Sequence, residues 1–83
     1  MNMGVNYCNR ETLNVALWIN NNYDLYCAAR RFMRTNPKCK TPYIKFIDAY
    51  KLKEARTGDG VLLCGLYIDY DALDEFMREL IND

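Results

Sequence analysis

The chain has 83 residues, 51% of them hydrophobic, and its eleven basic and eleven acidic side chains give a formal net charge of zero. This length predicts one domain, residues 1–83, with a single modest core, and the zero charge argues against a uniformly basic nucleic-acid-binding domain. There is no signal-peptide pattern at the start, and the longest apolar run, 61–68, is far shorter than the ~20 residues of a membrane helix. We therefore expect a soluble, intracellular protein.

The first predicted helix follows Asn9, which is a good N-cap, and has Glu11 in its first turn, where a carboxylate complements the helix dipole. Apolar residues at 13 and 15–19 leave little polar face apart from Asn14. A helix that is apolar on nearly all sides is typically buried. This pattern places Trp18, the only tryptophan, at the centre of the core, and a binding role for Trp18 is the less favoured alternative.

Three asparagines at 20–22 end the first helix and begin the second, because asparagine both tolerates the left-handed conformation and caps an N-terminus. The second helix is predicted from Tyr23 to Thr35 and ends at Asn36–Pro37. Its apolar residues recur at helical spacing. They are Leu25, Ala28, Ala29, Phe32 and Met33.

Thr41 and Pro42 predict the start of a third helix, with a hydroxyl cap before proline at the first helical position. This helix is expected to run to about Arg56. Its inward-facing residues are expected to be Tyr43, Ile44, Phe46, Ile47 and Tyr50.

A turn is predicted at 57–60, followed by a short buried extended or irregular segment at 61–68, for which no second strand is evident. Asp69 or Asp71 then caps a fourth helix. Its apolar stripe consists of Leu73, Phe76, Met77, Leu80 and Ile81. The fold class is therefore mainly α, a compact domain of about four helices with one short extended segment.

Residue types that carry out catalysis or bind metals are scarce. There is no histidine and no phosphate-binding glycine loop, and the acidic residues between 69 and 75 lack EF-hand spacing. The four cysteines form no C-x-x-C pair, which favours free, buried thiols over zinc ligands or disulfides; they are Cys8, Cys27, Cys39 and Cys64. We expect a non-enzymatic protein without cofactor or metal.

Charge is distributed unevenly along the chain. Residues 1–58 contain ten basic and four acidic side chains, whereas residues 59–83 contain one basic and seven acidic side chains. Opposite charge can steer a partner, or the two segments can pack together and neutralise each other. The candidate partner-binding residues are Arg30, Arg31, Arg34, Lys38 and Lys40 on the basic side, and Asp69, Asp71, Asp74 and Glu75 on the acidic side.

Two other partners are considered from the same residues. The basic second and third helices also contain aromatic residues, a combination that suits phosphate contact with base stacking. These aromatics are Phe32, Tyr43, Phe46 and Tyr50. Self-association into a homodimer is a further alternative, through surface tyrosines at 7, 23, 26, 67 and 70.

Residues 11–21 read ETLNVALWINN and are followed by Leu25-Tyr26. This segment resembles a motif of small bacteriophage-encoded proteins, usually E-T-W-N-V-A-L-W-I-x-N-D-E-x-L-Y. Leu13 stands where the family has its first tryptophan, and residues 22–23 stand where it has acidic residues. The D-G-V sequence at 59–61 and the start of the last helix, Asp69 with Leu73, are also similar to the family.

The resemblance implies a phage origin and a location in the host cytoplasm, and it carries no established activity. In that setting we expect a small interaction protein that binds and modulates or inhibits a host protein, including a component of a defence system (an anti-CRISPR-like role). The alternative is a small nucleic-acid-binding accessory protein that uses the basic second and third helices.

Overall fold

The computed structural model describes residues 9–81, and within that range it contains four α-helices: α1 (Arg10–Asn21), α2 (Tyr23–Thr35), α3 (Pro42–Ala49) and α4 (Tyr70–Glu79). The mainly α prediction is confirmed. α3 packs on α4, α1 packs on α2, and α4 also contacts α1 and α2, so the helices enclose one core. In the described part of the chain no helix is both long and apolar enough to cross a bilayer.

Three helices begin at the side-chain caps that the sequence predicts. Asn9 Oδ1 accepts from the backbone N–H of Thr12 at 2.8 Å, and Asn22 Oδ1 accepts from Leu25 N at 3.3 Å. Asp69 Oδ1 accepts from Ala72 N at 3.1 Å, so Asp69, rather than Asp71, caps α4. These local hydrogen bonds satisfy backbone donors that have no partner within a helix.

The prediction that α1 is buried on nearly all sides is wrong. Leu13 and Leu17 are 39% and 42% exposed, and Trp18 is only partly buried, at the margin of the core rather than at its centre. The reason is that, of the other helices, α1 contacts α2 and α4, which cover one of its faces. That covered face consists of Thr12, Val15, Ala16 and Ile19.

The third helix is shorter than predicted, because it ends at Ala49 and not near Arg56. Lys51 adopts the left-handed conformation with φ 57°, and Leu52 N donates to Ile47 O at 2.8 Å. With the bond from Lys51 N to Asp48 O at 3.1 Å, this is a Schellman motif, which usually has glycine where Lys51 stands. Tyr50, predicted to face inward, is an exposed cap residue.

Residues 55–63 form a small hairpin-like loop, which the predicted longer helix would have prevented. Arg56 and Leu62 form an antiparallel bridge, and Leu63 N donates to Ala55 O at 3.0 Å. Gly60, with φ +88°, closes the predicted turn at 57–60 in a conformation that favours glycine. In the described range this bridge is the only β pairing of segment 61–68. Its other residue, Arg56, was predicted to belong to the third helix.

α3 lacks the local cap predicted for it, since the Thr41 side chain makes no capping bond. The backbone N–H of Tyr43 donates instead to Asp74 Oδ1 on α4 at 2.9 Å. Burial raises the pKa of the Asp74 carboxyl, although the Tyr43 N–H and the Arg78 guanidinium act in the opposite direction. The start of α3 therefore depends on a buried carboxylate 31 positions away in the chain.

We predict that replacing Asp74 changes how stability depends on pH. Because its folded-state pKa lies above the ordinary value of 3.8, the native state binds the proton more tightly than the unfolded chain does. Asp74 therefore contributes stability that is present below that value and is lost as pH rises through the folded-state pKa. The free energy of unfolding of the wild type, measured in urea titrations, should fall relative to that of Asp74→Asn as pH rises from below 3.8 through the folded-state pKa. The same change at exposed Asp24, which is not among the charges that act on Asp74, is the control, and a pH-independent difference for Asp74→Asn would contradict the prediction.

A second stability prediction concerns the buried hydroxyl of Tyr43, which donates to Leu63 O at 2.5 Å. Tyr43→Phe keeps the ring but leaves this buried carbonyl without its donor, so unfolding should become easier by about 1–3 kcal/mol. Tyr50→Phe, at an exposed ring, should change stability by less than about 0.5 kcal/mol. Equal effects of the two substitutions in chemical denaturation would show that the Tyr43 hydroxyl is not needed.

Candidate interaction surface

The four acidic candidate residues do not form one surface cluster. Asp74 is buried at the start of α3, and Asp69 caps α4, while its own backbone N–H donates to Thr12 Oγ1 at 2.8 Å. Asp71 and Glu75 are exposed, and Glu75 pairs with Arg78 at 3.2 Å. The expectation of an acidic docking surface at 69–75 is therefore wrong for Asp74, because its carboxylate is used inside the fold.

Three of the five basic candidates lie together on α2. Arg30, Arg31 and Arg34, with Cys27 and Thr35, line an open surface groove of about 380 Å³. The Arg30 guanidinium lies 5.7 Å from the centre of the Tyr26 ring and donates to the Tyr26 hydroxyl at 3.1 Å. Arg31 and Arg34 are exposed and define the basic character of this groove.

The remaining basic candidates, Lys38 and Lys40, follow α2 in the chain, are exposed and do not line the groove. The Lys40 carbonyl accepts from Arg78 Nη2 at 3.1 Å, which joins the basic part of the chain to α4. Among the neighbouring aromatics, Tyr43 and Phe46 are fully buried. Base stacking on these two rings is therefore excluded, whereas Tyr50 is 41% exposed at the end of α3 and Phe32 on α2 is partly buried.

Among the described residues, the large hydrophobic side chain with the greatest exposure, that of Leu66, lies in the irregular segment between α3 and α4, next to exposed Tyr67. Leu66 is 96% exposed and Tyr67 is 74% exposed. We refer to these two residues as the tip. The sequence predicts that segment 61–68 is buried; Leu63 and Ile68 are buried, but the tip is not.

The backbone around the tip is held by hydrogen bonds from helix side chains. The Tyr70 hydroxyl donates to Gly65 O at 2.9 Å, and Asn9 Nδ2 donates to Tyr67 O at 2.6 Å. Burial raises the pKa of Tyr70 to about 12, so its hydroxyl remains a donor at neutral pH. With the Tyr43 bond to Leu63 O, these contacts hold the backbone on both sides of Leu66.

An apolar cavity of about 300 Å³ lies beside the tip. Its rim carries two charged side chains, Glu11 and Arg56, and Arg56 Nη1 donates to Gly60 O at 2.9 Å. The other lining residues are Val61, Leu62, Gly65, Leu66, Tyr67 and Ile68. The tip and this cavity together form an apolar surface of the kind that marks binding sites.

A second, more polar cavity of about 270 Å³ lies between α1 and the turn at 57–60. Asn14 Nδ2 donates to Asp59 Oδ2 at 2.7 Å, and Thr57 Oγ1 donates to Asn14 Oδ1 at 2.6 Å. Trp18 lines this cavity, which we call the Trp18–Asp59 niche. Its remaining lining residues are Leu17, Asn21 and Gly58.

Neither cavity was predicted from the sequence, although the turn and the polar helix position that form the second one can be recognised in it. The sequence indicates a turn at 57–60 and identifies Asn14 only as the polar position of α1, whereas the structure brings Asn14 against Asp59 across 45 positions. The prediction for the cysteines is correct in one respect, because Cys27, Cys39 and Cys64 are free. It is wrong in the other, because Cys27 is exposed and the other two are only partly buried.

Cys8 and Tyr7 lie outside the described residues. Within residues 9–81, no group of three or more potential metal ligands comes together. Of the tyrosines considered for self-association, Tyr23 and Tyr67 are exposed, and Tyr26 and Tyr70 are partly buried.

The chain belongs to a family of unknown function, DUF7249, whose model matches residues 3–83. No curated protein and no solved structure matches the chain.

Proposed function

We propose that this protein is a small interaction protein that binds another protein through the tip and the adjoining apolar cavity. The observation that carries the proposal is the exposure of Leu66 and Tyr67, at 96% and 74%, on a backbone held by hydrogen bonds. A large side chain that is exposed on a restrained backbone loses little conformational freedom when a partner covers it.

The chemistry of the tip suits this role. Tyrosine is enriched among the residues that contribute most to binding energy, because its ring is large and rigid and its hydroxyl can form a hydrogen bond with a polar group of the partner. Leu66 also lines the apolar cavity, so a partner side chain that enters the cavity would contact the tip at the same time. The projecting side chains of the tip and the adjoining cavity together form a shaped surface that a partner of complementary shape can fit, rather than one flat patch.

The biological setting of the proposal comes from the resemblance to small bacteriophage-encoded proteins. In that setting the partner is a host protein in the cytoplasm, and binding modulates or inhibits it, as in the blocking of a defence system. Supporting this, the described surface offers a place for a partner, while the sequence supplies no histidine for acid–base catalysis. Inhibition would then follow from occupying a surface of the host protein.

The test uses a photo-crosslinking amino acid, benzoylphenylalanine, placed at position 67 or at position 23. Tyr23 is the matched control, because it is 77% exposed on α2, away from the tip in the chain. In lysate of the bacterial host we expect one protein to be crosslinked through position 67 and not through position 23. Equal crosslinking from both positions would contradict the proposal.

Affinity for the purified partner then measures the contribution of the tip. Leu66→Ser and Tyr67→Ser should each raise Kd at least tenfold, a loss of about 1.4 kcal/mol or more, whereas Tyr23→Ser should not. The melting temperature should stay nearly unchanged, because exposed side chains contribute little to stability. Unchanged affinity in both tip variants would contradict the assignment, and capture of a second copy of the chain would replace the host partner with a homodimer.

The α2 groove favours a second candidate function, nucleic-acid binding through phosphate contacts. Arg31 and Arg34 are exposed in this groove, and an arginine guanidinium suits the geometry of phosphate. Because the rings of Tyr43 and Phe46 on α3 are buried, bases cannot stack on them. This candidate therefore predicts weak, sequence-independent binding.

Mobility shifts with duplex and single-stranded DNA test this candidate. It predicts binding that weakens steeply with salt and is reduced in the Arg31→Gln/Arg34→Gln double variant, but less so in Lys38→Gln/Lys45→Gln, which removes two exposed cations outside the groove. Equal weakening by the two double variants would indicate non-specific attraction and would exclude a site in the groove.

A further inference from the structure

We infer that the Trp18–Asp59 niche binds an arginine side chain, supplied by the partner that the tip engages. The inference rests on the proposed function, because it names the chemistry of that partner. It starts from two findings: Trp18 lies at the margin of the core instead of its centre, and the cavity that it lines also contains a carboxylate.

The carboxylate of Asp59 is held in place by a chain of hydrogen bonds. Buried Thr57 donates its hydroxyl proton to Asn14 Oδ1, and Asn14 Nδ2 donates to Asp59 Oδ2 at 2.7 Å. Thr57 Oγ1 also accepts from the backbone N–H groups of Asp59 at 3.3 Å and Val61 at 3.2 Å. This network fixes the turn and orients Asp59, while its Oδ1 remains for a ligand.

The residues that line the niche determine which ligand suits it. They include one carboxylate and no lysine or arginine, so an anionic ligand such as a phosphate would be repelled. A guanidinium is planar and cationic, so it can stack on an indole while it donates to a carboxylate. An ammonium lacks this planar fork, and a neutral planar group would gain nothing from Asp59. Arginine is therefore the side chain that uses both Trp18 and Asp59.

The niche and the apolar cavity are lined by successive turns of the same helix, α1. Glu11 lines the apolar cavity and Asn14, one helical turn later, lines the niche. From Glu11 to Trp18 the α1 axis rises by about 10 Å. A partner segment with an apolar residue and an arginine separated by roughly that distance would occupy both cavities, and Glu11 would add a second carboxylate on the same face.

Trp18 makes the test direct, because it is the only tryptophan and its fluorescence reports on the niche. The probe is Nα-acetyl-arginine amide, and the matched control is Nα-acetyl-citrulline amide, which has nearly the same shape but no charge. We expect a saturable fluorescence change with the arginine probe, with Kd on the order of millimolar, and no saturation with the citrulline probe.

Asp59→Asn should weaken binding of the arginine probe at least tenfold, because it removes the charge and keeps an oxygen that can accept from Asn14. The control is Asp71→Asn, which removes an exposed carboxylate that does not line the niche and should leave the probe's affinity unchanged. Circular dichroism and the melting temperature establish that Asp59→Asn is folded. If Asp59→Asn does not fold, the comparison of the two probes on the wild type still decides the question.

Three results would overturn the inference: no saturable change with the arginine probe, an equal change with citrulline, or full affinity in folded Asp59→Asn. The experiment needs no partner, and Leu66→Ser should bind the arginine probe as the wild type does. Failure of the niche therefore leaves the crosslinking result at the tip unaffected. Failure at the tip likewise leaves the probe titration interpretable.

Discussion

The structure depends on supplying hydrogen-bond partners to the backbone between α3 and α4. Residues 50–69 contain no regular element beyond one β-bridge, and a buried amide or carbonyl without a partner is costly. Helix side chains supply part of what is missing: Thr12 accepts from Asp69 N, Tyr43 donates to Leu63 O, and Tyr70 donates to Gly65 O. Within residues 9–81, no buried side-chain polar atom lacks a partner. The path of this segment, and hence the position of the tip, follows from where these polar groups stand on the helices.

The same requirement explains how charge is used. The Tyr43 N–H lies in the first turn of α3, where it has no acceptor within the helix and the Thr41 side chain makes no capping bond, and Asp74 of α4 accepts from it across the core. Burial disfavours the charge on this carboxylate, and the hydrogen bond offsets part of that cost. A residue that looks like part of an acidic surface in the sequence is therefore part of the fold. The uneven distribution of charge along the chain does not become two simple charged faces.

The surface that remains is organised along α1 and the loop packed against it. Leu13 and Leu17 are exposed because α1 is covered on one face only, and the polar residue Asn14 links the helix to the turn at 57–60. One turn of the helix separates the apolar cavity from the niche, so both proposed contacts can engage one partner segment. Membership of DUF7249 assigns no activity, so the case for binding rests on this geometry and on the restrained, exposed tip. The basic groove on α2 is a separate feature with different chemistry.

The sequence by itself determined the local features: the cap at Asn9, the position of the caps of α2 and α4 to within a residue or two, the spacing of apolar residues in α2 and α4, and the turn at 57–60. Each of these depends on residues within a few positions of one another, so no tertiary contact is needed to predict it. Tertiary structure decided where α3 ends, because Lys51 adopts a left-handed conformation that lysine does not favour. It also decided that Trp18 lies at the margin of the core and that Leu66 and Tyr67 are exposed. The physical reason is that apolar residues compete for a small core: the sequence shows which segments are apolar enough to enter it, and only packing decides which of them are left outside.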